Sequence, residues 1–156
     1  MDCTGNRPDY ENIILDFIKS QEVAVNHSNC DIYRYAAHLP NENRIRNCGM
    51  ILMREQSSER TLLHVVVELP IHIKRGEAYH VFKGLAVIND ELEPNQCYDI
   101  DVLEGTVRFR SIVDYPKDIN AFESIISQSM NTVEEDFIAI MQIVLHELEV
   151  IEKAAT

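Results

Sequence analysis

The chain has 156 residues, the size of one ordinary domain, and 46% hydrophobic residues with 26% charged ones is the balance of a globular fold. A formal net charge of −12 disfavours nucleic acid, whose affinity comes from Lys and Arg neutralising phosphates. No stretch approaches the run of apolar residues a membrane span needs, and the opening MDCTGNRPDY lacks the regions of a signal peptide.

The charge is uneven. From Asp114 onward nine acids face only Lys117 and Lys153, a balance of −7, whereas from Glu42 to Lys83 seven bases outnumber five acids. Such a basic middle and acidic tail can attract each other within the fold or present two faces to partners. The cysteines Cys3, Cys30, Cys48 and Cys97 form no C-x-x-C pair and suit free thiols in a reducing cytoplasm.

Residues 1–8 read as a flexible N-terminus. Tyr10, Ile13, Ile14, Phe17 and Ile18 recur at helical spacing, which predicts a helix from Pro8-Asp9 to about Glu22. Asn26 to Asn29 reads as an irregular polar link, Asp31 to Leu39 as a strand and Pro40 to Asn43 as a loop. A hairpin follows, Cys48 to Arg54 with Thr61 to Leu69. With Ser57-Ser58 at its centre, Leu52 faces Leu63, Met50 faces Val65 and Cys48 faces Val67. The opposite face is also largely apolar, with Ile51, Met53, Leu62, His64 and Val66. A strand apolar on both sides is covered twice or presents one side to a partner.

Leu69-Pro70 is expected to end that strand. A helix over Gly76 to Leu92 places Ala78, Val81, Phe82, Leu85, Ala86, Asn89 and Leu92 on one side. Gln96 to Val113 then alternates apolar and polar residues about Glu104-Gly105, the pattern of a second hairpin. A two-residue turn sets Val102 against Val107, Ile100 against Phe109 and Tyr98 against Ser111. It pairs Asp101 with Arg108 and Asp99 with Arg110, so these four charges satisfy one another without a ligand. Asn120 to Ser129 reads as a helix, and Thr132 with Glu135 has the pattern of a capping box opening a last one. The sum is a single α+β domain over residues 1–156. It has a mainly antiparallel five-stranded sheet, helices packed on one face, and the order α-β-β-β-α-β-β-α-α.

No catalytic constellation emerges. Six histidines show no metal-ligand spacing. No G-x-S-x-G elbow or phosphate loop exists. A thiol–imidazole pairing of Cys30 with His27, or Cys48 with His64, is outweighed by the packing role of a strand cysteine. No catalytic residue, cofactor or metal is expected.

The runs ELPIHIKRGEAYHVFKGLAVINDEL and CYDIDVLEGTVRFRSIV, with the helix around DFIAIMQIV, resemble the YbjN-type family of bacterial proteins. Those members show a strand ending in proline, a helix with a leucine-asparagine pair, an F-x-L-D … G-x-V-x-Y-R hairpin and a terminal helix pair. Here the matching pieces are Val67 to Pro70, Ile88-Asn89, Tyr98 to Asp101 and Gly105 to Arg110. The resemblance implies the fold of the small homodimeric chaperones of type III secretion, and a family described as regulators of sensory transduction.

The expectation for function is therefore a non-enzymatic protein-interaction module, chaperone-like or regulatory, cytoplasmic and able to dimerise. It would hold a protein or peptide segment on the open sheet face or edge, through Ile51, Met53, Leu62, His64 and Val66. The alternative is a sensory domain binding a small ligand between sheet and helices.

Overall fold

The computed structural model describes residues 16–17, 26–29, 32–37 and 48–155. These form strands β1 (Asn26–Asn29), β2 (Ile32–Ala37), β3 (Cys48–Gln56) and β4 (Thr61–His72), helix α1 (Ala78–Asn89), strands β5 (Gln96–Ile100) and β6 (Thr106–Asp114), and helix α2 (Ile119–Ala155). A 3₁₀ turn, Arg75–Glu77, leads into α1. The sheet runs β1-β2-β3-β4-β6-β5 and every neighbouring pair is antiparallel. The antiparallel α+β class stands, with the five expected strands and a short sixth. That sixth is β1, in the segment expected to be an irregular link; its register breaks between His27 and Asn29.

Alternation dictates the packing. Tyr33, Cys48, Met50, Leu52, Leu63, Val65, Val67, Val107, Phe109 and Tyr98 point to one face, where Val81, Leu85 and Ile88 of α1 and Phe122, Ile126, Val133, Ile140 and Val144 of α2 meet them in one core. Asp16 and Phe17 are helical, and Phe17 packs edge-on against Phe122 with ring centroids 4.9 Å apart. The rest of the expected first helix, residues 1–8 and the Pro40 loop lie outside the described residues.

Both hairpins depart from their expected register by two residues. Across β3 and β4, Met50 faces Val67 and Leu52 faces Val65, because the turn spans Ser57 to Arg60. Ser57 sets that length: its N–H donates to the Arg60 carbonyl at 2.9 Å, and its hydroxyl accepts the Arg60 N–H at 3.3 Å. Across β5 and β6, Ile100 faces Val107, Tyr98 faces Phe109 and Asp99 faces Arg108. There the turn opens to Asp101–Gly105. The Asp101 carboxylate accepts the Leu103 N–H at 2.9 Å, and the Gly105 N–H donates to the Asp101 carbonyl at 2.7 Å. Gly105 has φ of 76°, and its carbonyl takes the Ile73 N–H at 2.7 Å; a Cβ there would stand 2.0 Å from the Ile73 oxygen.

Two other expectations are corrected. Pro70 does not end its strand: β4 continues to His72, and Pro70 sits exposed where the β4–β6 register slips between Glu68 and His72. The two expected final helices are one. Thr132 does not cap a new helix; its hydroxyl donates back to the Gln128 carbonyl at 3.0 Å, as Ser129 does to Ile125 at 3.1 Å, and both are satisfied inside a continuous helix. Its start is fixed by Asp118, whose carboxylate accepts the Ala121 N–H at 2.8 Å.

Candidate functional site

The register places the second sheet face in cross-strand rows. One row is Ile32–Met53–His64–Ile112, the next Arg34–Ile51–Val66–Arg110, and the third Gly49–Glu68–Arg108 with Asp99. The face therefore grades from apolar to charged across three rungs. The expected site residues Ile51, Met53, His64 and Val66 do share this surface, and Leu62 follows beside Glu55. Their exposure differs, however. Ile51 and Val66 are only 7% and 3% exposed although they stand outside the main core, while Met53, Leu62 and His64 are half-buried. Ile51 and Val66 thus form a buried row between Arg34 and Arg110, and the accessible part of the patch is the row beside it.

Ile32 and Ile112 belong to that row and were missed. Nothing in the β3–β4 hairpin reveals which residues of β2 and β6 lie alongside it; only the long-range ladders do. His64 adds a polar element: its Nε2 lies 2.6 Å from Glu55 Oε2, and its Nδ1 is buried without a hydrogen-bond partner. The apolar row thus carries one imidazole whose outer nitrogen is taken by Glu55 and whose other nitrogen is buried beneath the surface.

The charged rung is closed on itself. Arg108 grips Asp99 through two bonds of 2.8 and 3.0 Å and lies 3.7 Å from Asp101, and Arg110 reaches Asp99 at 3.2 Å. The four charges pair within the hairpin as expected, but Asp99 is the hub instead of one rung of a ladder. The bond to Asp99 also pushes the Arg108 pKa up.

The β5 edge is sealed by a residue whose role spacing does not disclose. The Asn89 carboxamide accepts the Tyr98 N–H at 2.6 Å and donates to the Tyr98 carbonyl at 3.0 Å, as a neighbouring strand would. The fully buried Tyr98 ring carries its hydroxyl to Asp136 at 2.8 Å, and burial followed by that carboxylate's charge drives the phenol pKa upward.

The thiol–imidazole pairing of Cys48 with His64 does not form, because Cys48 belongs to the helical core and His64 to the opposite face. Burial raises the Cys48 thiol from 9.0 to about 11, which leaves it unreactive near neutrality. Cys30 lies outside the described residues. Among the described residues no group of three or more His, Cys, Asp or Glu is placed to hold a metal, and no helix is long and apolar enough to cross a membrane.

Between sheet and helices Met50, Leu52, Val65, Leu85, Phe109 and Phe122 have zero exposure. Two hollows open among the described residues. One of about 750 Å³ runs between α1 and α2, with His80, Lys83 and His146 on its walls. The other, of about 490 Å³, lies between the start of α1 and the end of β5. The architecture defines an antiparallel α+β domain, and the chain matches no protein-family model and no curated protein.

Proposed function

We propose that the chain is a non-enzymatic protein-interaction module, chaperone-like or regulatory, that holds a partner segment on the second face of its sheet. It works in a bacterial cytoplasm and needs no cofactor. One observation carries the reading: the accessible apolar row Ile32–Met53–His64–Ile112, beside a row in which buried Ile51 and Val66 stand between Arg34 and Arg110. Apolar side chains with a flexible methionine suit a surface that adapts to its ligand. The face is favoured over the β5 edge, whose Tyr98 backbone groups are already occupied by Asn89. The resemblance to the YbjN-type family and the type III secretion chaperones points the same way, and the Ile88-Asn89 pair that supports it acts in building this sheet.

The test is photo-crosslinking in the native cell from residues 53 and 112, with the exposed position 123 on α2 as control. The same protein crosslinked from both sheet positions and not from 123 supports the proposal. Adducts from 123 alone, or none from either sheet position, reject it.

A further inference from the structure

The ladders set three lines of different chemistry side by side on the second face of the sheet. Glu55, Leu62 and Asp114 stand on one rung, the apolar row on the next, and Arg34, Ile51, Val66 and Arg110 on the third. The apolar row therefore has carboxylates along one border and guanidinium groups along the other. Residues two apart on a strand are separated by about 7 Å, so the three lines together span about 14 Å. Neighbouring strands lie about 4.8 Å apart, which makes the row from β2 to β6 about 14 Å long.

The border groups face outward with charge to offer. The Asp114 and Glu55 side chains are 79% and 57% exposed. Asp114 has the exposed Arg60 3.8 Å away, a weak pairing at such a surface, and Glu55 meets His64 through Oε2. On the other border Arg34 is exposed, and Arg110, at 38% side-chain exposure, gives Nη1 to Asp99. The rung beyond the arginines adds little net charge, since Arg108 and Asp99 neutralise each other, and its Glu68 leans over Gly49, with Oε1 2.9 Å from where a Cβ would stand.

A single extended strand lays one line of side chains on a surface, because its alternate residues point away. An amphipathic helix presents three, an apolar stripe and the two borders that flank it, on a body about 10–12 Å across. We infer that the segment held on the second face is an amphipathic helix, laid across the strands over about ten residues, with bases on the border above Glu55 and Asp114 and acids on the border above Arg34 and Arg110. This rests on the reading of the sheet face as the docking surface and adds the shape and charge of what docks there.

The probes are three labelled helical peptides that share one leucine stripe. The first carries Glu along one border and Lys along the other, the second Glu on both, the third Lys on both. Fluorescence anisotropy at low salt is expected to find the mixed peptide bound about fivefold or more tightly than either of the others. The net charge of −12 by itself favours the Lys peptide, so tightest binding of that peptide overturns the inference. Arg34→Gln should weaken the mixed peptide and strengthen the Lys peptide, whereas Asp114→Asn should weaken the mixed peptide and strengthen the Glu peptide. Both side chains are exposed, and circular dichroism checks that the variants stay folded. A mixed peptide indifferent to both substitutions overturns the inference. A proline at the centre of the mixed peptide should abolish binding, because it breaks the helix; binding that survives it shows an extended occupant and also overturns the inference. Equal affinity for all three peptides, or none for any, does the same. These outcomes leave the sheet-face proposal standing, since the crosslinks from residues 53 and 112 are read without the peptides.

Discussion

The two faces of the sheet are made from the same strands and solve opposite problems. On the helical side, alternate residues of five strands have zero exposure and are fixed by polar clamps at the margin, Asn89 on Tyr98 and Tyr98 on Asp136. On the other side the same alternation yields three rungs that pass from apolar to charged, with only Ile51 and Val66 fully buried. Burial thus follows what lies above each face more than the composition of the strands. Stability should reside on the first face, and freedom to change on the second.

Substitutions can break that contrast in graded steps. The largest loss is expected for Phe109→Ala, which empties the core beneath both helices and should cost about 3–5 kcal/mol in urea unfolding. Gly105→Ala should follow at about 3 kcal/mol, since the added Cβ meets the Ile73 carbonyl at a positive φ. Asn89→Ala removes two bonds from the Tyr98 backbone and is expected to cost about 2 kcal/mol; it should also bare the β5 edge, read as faster aggregation on heating. Cys48 offers a pH test. The unfolded thiol ionises near 9.0 and the folded one near 11, so in that interval the unfolded state holds fewer protons and stability falls as pH rises. Below pH 9 its contribution is complete, and Cys48→Ala should lessen the alkaline decline by up to about 2 kcal/mol. The smallest effect is reserved for the second face: Met53→Asp should shift stability by less than about 1 kcal/mol while abolishing partner crosslinking. A Met53→Asp loss equal to that of Phe109→Ala would erase the distinction between the faces.

Which residues share a face was legible from alternation, because both registers moved by two and a shift of two preserves parity. The turns were not. Ser57-Ser58 and Glu104-Gly105 look like two-residue turns, but the Ser57 hydroxyl and the Asp101 carboxylate each stabilise a longer one. That error hid the hollow beside α1: Val102 was matched to Val107 and Phe82 to the buried stripe, whereas both are exposed. The fusion of the last two helices was masked by Thr132, whose hydroxyl can bond forward as a cap or backward within a helix. Of the candidate site, the β3–β4 half was readable from one hairpin. Ile32 and Ile112 required ladders between strands distant in sequence.

The β4–β6 ladder has a consequence for how the chain reaches this state. Every other ladder joins strands consecutive in the chain, but this one joins strands separated by α1 and β5. Two hairpins can close early and independently. The core is complete only when they meet along β4 and β6, after the segment from His72 to Thr106 has paid its loop-closure entropy. Loop-closure entropy makes that encounter the expected slow step in assembling the sheet, and Pro70 lies at the break in this ladder.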